Sequence, residues 1–207
     1  TNTCWNAVDR HVDNGRGEQR ALIWDSPITG KQRILTYNDL KNEVSTFAGV
    51  LRKHGVEKGD RVLIYMPAVP EAVIGMLACA RIGAIHSVVF GGFAAAEVAK
   101  RLDDATPKVL LTASCGIEPG RIIPYMPILN QAFEIAAHVP SSVVVLAREE
   151  QTAELKPGRD HDWDEEAAGA NPVDWVPVLA TDPLYILYTS GTTGKPKGVI
   201  RDNGGHA

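Results

Sequence analysis

A short stretch of the sequence, Tyr188 to Ile200 (YTSGTTGKPKGVI), concentrates groups that bind anions. Its hydroxyls can donate hydrogen bonds, its glycines let backbone amides approach an anion closely, and its lysines supply positive charge. This combination suits a nucleotide triphosphate. The candidate phosphate ligands are Thr189, Ser190, Gly191, Thr192, Thr193, Gly194, Lys195 and Lys197.

The spacing within this stretch differs from that of the P-loop of kinases and GTPases. Fewer residues separate its first two glycines, and Pro196 follows Lys195 where a P-loop has Ser or Thr. The proline favours extended backbone at Lys195, and apolar runs precede and follow the stretch at Leu184–Tyr188 and Val199–Ile200. We therefore predict a loop that joins two strands and holds phosphates without a helix dipole. The alternative is a Gly/Thr-rich hairpin turn with two solvated lysines.

Composition restricts the classes of partner. The 207 residues, 44% hydrophobic and 22% charged, predict one large globular α/β unit. A net charge of −4 argues against nucleic acid or an anionic membrane surface as partner. The most apolar stretch, Ala72 to Ala80, is too short to span a bilayer. We expect a soluble protein with small-molecule substrates.

Cysteine and histidine usage gives no sign of a metal site. Cys4, Cys79 and Cys115 are widely spaced and form no CxxC pair, which predicts a reducing compartment and a cytoplasmic location. Cys79 lies in an apolar run, so we interpret it as a core residue and not as a nucleophile. The six histidines are scattered without ligand spacing. We predict no metal bound by protein side chains.

Alternating hydrophobic patterns predict an α/β fold. A capping box at Thr36 and Asp39 begins a helix that Gly55 ends, and strands and helices then alternate. The pattern predicts a mostly parallel sheet with helices on both faces and ligands outside the carboxyl ends of the strands. Further predicted helices are Asn2–His11, Pro70–Ile82, Ala94–Ala105 and Pro124–Ala137; predicted strands are Ala21–Asp25, Arg33–Leu35, Arg61–Met66, His86–Phe90, Lys108–Thr112 and Ser142–Leu146.

Three further segments stand apart from this alternation. Phe90 to Phe93 and Ala113 to Arg121 follow predicted strands, so they are expected at the ligand-binding edge. Arg148 to Val176 is polar, and we interpret it as a connecting excursion. Its acidic run, Asp160 to Glu166, is predicted to be a solvated face, since neither partnering histidines nor a calcium-loop pattern accompanies it.

The string YTSGTTGKPKGV resembles the phosphate-loop signature of the adenylate-forming superfamily, which includes acyl-CoA synthetases, luciferases and the adenylation domains of peptide synthetases. From Thr3 onward, further strings narrow the resemblance to short-chain acyl-CoA synthetases, relatives of acetyl- and propionyl-CoA synthetase. These strings are NAVDRH (6–11), YMP (65–67), ARIGAIHS (80–87) and VFGGF (89–93).

The resemblance implies a ligase that works in two halves. A carboxylate first attacks the α-phosphate of Mg²⁺-bound ATP to give an acyl-adenylate and pyrophosphate, and the thiol of CoA then displaces AMP. The phosphate loop would hold the β- and γ-phosphates. Residues 1–207 would form part of the N-terminal adenylation domain. The catalytic lysine, the adenine, ribose and metal motifs, the acyl pocket and the C-terminal domain of the same polypeptide would lie after Ala207, so no catalytic residue is assigned and the chain alone is expected to be inactive.

The resemblance also implies a CoA site and an acyl substrate. CoA would lie over Phe90, Gly91 and Gly92, with Arg121 reaching a phosphate of its nucleotide end; the alternative is a tight turn and a surface arginine. Glu118 occupies a position where acetyl-CoA synthetases tend to carry arginine, and it would repel that phosphate unless it turns away or pairs with Arg121. The strings ASCGIEPGR (113–121) and IRDNGGHA (200–207) resemble the propionyl-CoA synthetase branch, so propionate is favoured over acetate.

Three other readings of the sequence stay open. The chain could derive from an acetyl-CoA synthetase, or it could be a non-catalytic piece that binds nucleotide or CoA. An adenylation domain of a peptide synthetase is less favoured, because such a domain is not expected to carry VVFGGF.

Overall fold

The computed structural model describes residues 1–189 and 197–206. Its strands are β1 (Arg20–Ser26), β2 (Lys31–Thr36), β3 (Arg61–Met66), β4 (Ile85–Phe90), β5 (Val109–Ala113), β6 (Cys115–Glu118), β7 (Arg121–Pro124), β8 (Ser142–Leu146), β9 (Asp160–Asp162), β10 (Pro183–Thr189) and β11 (Lys197–Asp202). Its helices are α1 (Tyr37–Lys53), α2 (Pro70–Arg81), α3 (Ala95–Ala105), α4 (Tyr125–Ile135), α5 (Trp163–Ala168) and α6 (Asn203–His206), preceded by two short π-helical segments, Trp5–Asp9 and Val12–Arg16.

The predicted α/β architecture is confirmed. Among the described residues, the main sheet has the strand order β11-β10-β4-β3-β5-β8-β9. All of its pairings are parallel except that of β10 with β11. The central strands are buried along nearly their whole length, and they read RVLIYM, VLLTA and SVVVL, as expected for strands covered on both faces.

Helices cover both faces because of the strand order. The chain passes from β3 through α2 to β4 on one side of β3, and from β4 through α3 to β5 on the other side. Right-handed crossovers in opposite directions place α2 and α3 on opposite faces of the sheet. Helix α1 packs on α2, and α4 packs on α3. The predicted helix-sheet-helix layering follows from these two connections.

Most predicted elements lie within two residues of the observed ones. The capping box of α1 is confirmed: the Thr36 hydroxyl accepts from the Asp39 backbone N–H, and the Asp39 carboxylate accepts from the Thr36 backbone N–H. The N-terminal helix is also confirmed. The side-chain oxygen of Asn2 accepts hydrogen bonds from the backbone N–H groups of Cys4 and Trp5 at 2.8 and 3.2 Å, which caps its first turn.

The prediction of a solvated acidic face at Asp160 to Glu166 holds for Asp164 and Glu165, which are exposed, and is wrong for Asp160. Asp160–Asp162 forms the edge strand β9, and the Asp160 carboxylate is buried against Arg159. Trp163 begins α5 and stacks on Phe47 at 3.7 Å between ring centroids. Trp163 therefore attaches the segment to the core through its buried indole ring, while the acidic residues that follow it stay exposed or half-buried.

Two features of the described residues bear on contacts with other molecules: the edge of the main sheet and the character of the helices. Among the described strands, β11 lies at an edge of the sheet, with Val199 at 39% and Ile200 at 63% exposure. No helix within residues 1–189 and 197–206 combines the length and apolar character needed to cross a bilayer.

Candidate functional site

The sheet brings the two predicted ligand-binding segments to one edge. Strand β10 runs parallel to β4, and β4 runs parallel to β3. The carboxyl ends of these strands, at Thr189, Phe90 and Met66, therefore lie at the same edge of the sheet. Both the phosphate stretch and the Phe90–Phe93 turn begin there.

The stretch around the candidate phosphate ligands joins two strands, as predicted. Strand β11 returns antiparallel to β10, and Lys197 lies directly opposite Thr189. Both residues are exposed, so their hydroxyl and ammonium groups are available to a ligand. The other six candidates, Ser190, Gly191, Thr192, Thr193, Gly194 and Lys195, lie outside the described residues.

The end of β10 is held to helix α3 by a polar contact. The Tyr188 hydroxyl donates to the Asp104 carboxylate at 2.6 Å. Burial, and secondarily this carboxylate, raise the pKa of Tyr188 far above its usual range, so the phenol stays a donor at neutral pH. The Arg101 guanidinium lies over the rings of Tyr188 and Phe93, 5.2 and 4.5 Å from their centroids. One arginine thus contacts both predicted ligand-binding segments.

A cavity of about 610 Å³ opens beside the Phe90–Phe93 turn. The ends of β3 and β4, strand β1 and the β6–β7 hairpin form its walls, and most of the lining is apolar. Phe90, Gly91 and Gly92 all line it, together with Glu118 and Tyr125. The Phe90 side chain is 69% exposed, so its ring is available to a ligand. The predicted CoA segment therefore borders a pocket of the size that small organic ligands use.

Close packing explains why a glycine is needed at position 91. The Tyr65 hydroxyl lies 3.0 Å from the carbonyl oxygens of both Gly91 and Phe93 and donates to them, which fixes the turn. A Cβ added at Gly91 would collide with the buried Tyr125 hydroxyl, whereas one at Gly92 would meet only the exposed Phe90 ring. Gly91 is therefore needed for the fold of the cavity wall, whatever ligand binds there.

We expect Gly91→Ala to reduce the free energy of unfolding by about 1–3 kcal/mol, the typical cost of overpacking a filled site. Gly92→Ala should cost less, because the Phe90 ring can rotate into solvent. Adding Tyr125→Phe to Gly91→Ala should restore part of the loss by removing the colliding oxygen. Urea denaturation of the three variants measures their free energies of unfolding. Equal stability of the two alanine variants would contradict the packing account.

Arg121 lies near this cavity, and its charge is already paired. Strands β6 and β7 form a hairpin in which Glu118 faces Arg121, with Gly120 in the left-handed region at φ +78°. The Arg121 guanidinium donates to the Glu118 carboxylate at 2.8 and 2.5 Å. Both side chains are largely exposed, 67% for Arg121 and 42% for Glu118. Of the two possibilities for Glu118, pairing with Arg121 is the one observed.

Several residues of this region were not predicted from the sequence. The two segments are shaped by contacts with Tyr65, Tyr125, Arg101 and Asp104. The bonds of Tyr65 to Gly91 and of Asp104 to Tyr188 span 26 and 84 positions of the chain. The Pro119-Gly120 pair is a turn signal that could have revealed the hairpin. No local pattern marks the tyrosines, because their contacts form only when the sheet assembles.

Comparison with known proteins identifies the family. Residues 8–206 match the family described as AMP-binding enzyme. The chain belongs to this family. It is 56% identical over 207 residues to human acyl-CoA synthetase short-chain family member 3, mitochondrial, and 46% identical over 209 residues to acetyl-coenzyme A synthetase from Xanthobacter autotrophicus. Both alignments cover the whole of this AMP-binding chain, but they cover only 30% and 32% of the length of the two relatives.

A solved structure gives the same result for the fold of this AMP-binding chain. Acetoacetyl-CoA synthetase from Streptomyces lividans superposes with a TM-score of 0.86 at 28% sequence identity. The match covers 99% of the chain and 30% of the solved protein. The mostly parallel sheet is thus the arrangement found in part of an acyl-CoA synthetase.

Proposed function

We propose that the protein is an AMP-forming acid–thiol ligase that makes propionyl-CoA from propionate, ATP and CoA through an acyl-adenylate, and that residues 1–207 are part of its N-terminal adenylation domain. One observation carries this proposal. The carboxyl ends of β10 and β4 bring the phosphate stretch and the Phe90–Phe93 cavity to one edge of the sheet. A ligase that uses ATP and CoA in succession needs both ligands beside one reacting carboxylate.

In the first half-reaction, this chain would bind and orient the triphosphate. The Thr189 hydroxyl and the Lys197 ammonium can both donate hydrogen bonds to phosphate oxygens. Of the two groups, only the hydroxyl oxygen could also contact a cation. Mg²⁺ would enter with ATP and neutralise phosphate charge. Lys197 would stabilise the charge that develops on the departing pyrophosphate, while the carboxylate of the acid attacks the α-phosphorus.

In the second half-reaction, the cavity would bind CoA. Its apolar walls suit the aliphatic parts of the pantetheine arm, and Gly92 leaves room for close approach of a ligand to the backbone. The exposed guanidinium of Arg121 would pair with a phosphate of the nucleotide end. Glu118 holds that guanidinium in place and also weakens its pull on an anion.

Replacing Arg121 by alanine should raise the Michaelis constant for CoA on the order of three- to tenfold, since an exposed charge-assisted contact is lost. The rate of acyl-adenylate formation should not change. Glu118→Gln is the matched control: it frees the guanidinium and should lower the Michaelis constant for CoA. Steady-state kinetics with CoA and ATP varied separately measure both effects. A change confined to ATP would contradict the assignment.

The acyl substrate is proposed from two features. Glu118 stands where acetyl-CoA synthetases tend to carry arginine, and the strings ASCGIEPGR (113–121) and IRDNGGHA (200–207) resemble the propionyl-CoA synthetase branch. One methylene in an apolar pocket changes kcat/KM by about 10- to 200-fold. Competition between propionate and acetate in the full-length protein tests the proposal. A kcat/KM that favours acetate would replace propionate by acetate and leave the ligase assignment unchanged.

A further inference from the structure

Two histidines and a glutamate that are far apart in the sequence meet in one cluster. His54 ends α1, His161 lies in β9 and Glu166 lies in α5. Their nearest ligand atoms all lie within 4.8 Å of one another. The cluster is at the opposite edge of the sheet from β10 and β11, so it does not belong to the proposed ATP or CoA site.

The distances within the cluster are close to those of a tetrahedral metal site. The Nε2 atom of His54 lies 3.2 Å from one Glu166 carboxylate oxygen, and the Nδ1 atom of His161 lies 3.7 Å from the other. Ligand atoms at about 2.0–2.1 Å from Zn²⁺ in tetrahedral geometry are about 3.3 Å apart. Since the three ligand atoms lie within 4.8 Å of one another, side-chain movements of up to about 1.5 Å would bring them to that spacing.

The surroundings of His54 orient it as a ligand. Its Nδ1 atom lies 3.1 Å from the Ser142 hydroxyl, and its Nε2 atom lies 3.2 Å from the Glu166 carboxylate. Without a metal, Nε2–H can donate to Glu166; with a cation between Nε2 and Glu166, the ring proton moves to Nδ1 and is donated to Ser142. This arrangement, a ligand imidazole whose other nitrogen is held by a hydrogen-bond partner, is the usual outer shell of a bound metal.

The burial of His54 and the partial exposure of His161 suit a site that an ion enters from one side. The His54 side chain is only 7% exposed, so its ring is held in place by the surrounding chain. The His161 side chain is 29% exposed, so an ion can reach the cluster from solvent. Lys53 contacts the Glu166 carboxylate at 2.7 Å, but its side chain is 53% exposed and can move away.

We propose that His54, His161 and Glu166 bind one Zn²⁺ ion, with water as the fourth ligand. Two imidazoles and one carboxylate are a ligand set that Zn²⁺ uses when one position stays open. When the ion binds Nε2 of the neutral His54 imidazole, the single ring proton lies on Nδ1, where the Ser142 hydroxyl accepts its hydrogen bond, and no proton is released. Because the ligands come from three elements, the ion clamps β9 and α5 onto the end of α1. This inference is independent of the proposed ligase function.

Metal titration of tag-free protein, treated first with a chelator, tests the site. Titration with Zn²⁺, measured by calorimetry, and titration with Co²⁺, measured by visible absorption, should each show one saturable site per chain. The Co²⁺ spectrum should be that of tetrahedral coordination. Zn²⁺ should also raise the melting temperature. His161→Ala should lower the affinity for both ions on the order of 100-fold or more, since loss of an outer-shell partner alone costs about 10- to 100-fold.

Matched variants separate the site from general effects of losing a charge or a histidine. His11 contacts Tyr37 at the other end of α1, and His11→Ala should bind both ions as the wild type does. Lys53→Ala should bind them at least as tightly, because a competing cation is gone. Circular dichroism of His161→Ala should show an intact fold, since that side chain is partly exposed. Absence of saturable binding, equal affinity in His161→Ala and wild type, or a loss in Lys53→Ala as large as in His161→Ala would overturn the proposal.

Discussion

In the full-length protein, Lys197→Ala is expected to reduce acid-dependent ATP–pyrophosphate exchange by roughly 10- to 100-fold. The ammonium of Lys197 lies opposite Thr189 at the exposed mouth of the β10–β11 pair. Loss of one charge-assisted contact to phosphate costs about 1.5–3 kcal/mol, which corresponds to that range of rate. The effect should fall on the adenylation half-reaction, because the proposed contact of Lys197 is to the departing pyrophosphate.

Arg201→Ala provides the matched control for Lys197→Ala. Arg201 is an exposed cation on the same strand, but it lies toward the other end of β11, about 13 Å away at the usual rise per residue. Its removal should leave exchange near the wild-type rate. If Lys197→Ala keeps full exchange activity, or if both variants lose it equally, the lysine does not contact the triphosphate.

Asp9→Ala is expected to destabilise the fold by about 3–5 kcal/mol, because it leaves a buried guanidinium without its partner. The Arg81 guanidinium lies 2.8 Å from the Asp9 carboxylate, and the two side chains are only 2% and 4% exposed. The melting temperature should fall by roughly 6–20 °C for a chain of this size. Differential scanning calorimetry measures the change.

Two further variants show whether the uncompensated charge is responsible. Asp9→Ala combined with Arg81→Met removes both charges and should recover much of the lost stability. Lys41 also approaches Asp9, at 3.8 Å, but its side chain is 33% exposed, so Lys41→Ala should cost far less. A double variant that is less stable than Asp9→Ala would show that Arg81 acts through its other contacts, the Val173 carbonyl and the Cys4 sulfur.

The sequence predicted the parts of the fold whose pattern is local. After Arg61, the core strand Arg61–Met66 is a continuous apolar run, and the capping box at Thr36 and Asp39 needs only a three-residue spacing. The stretch between β10 and β11 was recognisable because its composition serves no core. These features do not depend on what the rest of the chain contacts.

The features that sequence reasoning missed depend on tertiary contacts. Strand β9 reads DHD, a poor strand sequence, and it forms because β8 offers a free edge and Arg159 neutralises Asp160. The cluster of His54 with Glu166 joins residues 112 positions apart, so no ligand spacing could reveal it. The sequence left open whether Glu118 pairs with Arg121 or turns away, because the choice depends on the hairpin that places the two residues opposite each other.

The central claim is that one edge of the sheet holds two separate sites, one for the triphosphate at Lys197 and one for CoA at Arg121. Single-turnover measurement of acyl-adenylate and thioester formation in full-length Lys197→Ala and Arg121→Ala tests it most directly. We expect slow adenylate formation with normal use of CoA in Lys197→Ala. We expect normal adenylate formation with weakened CoA binding in Arg121→Ala. Equal losses in both steps for both variants, or the reverse assignment, would contradict it.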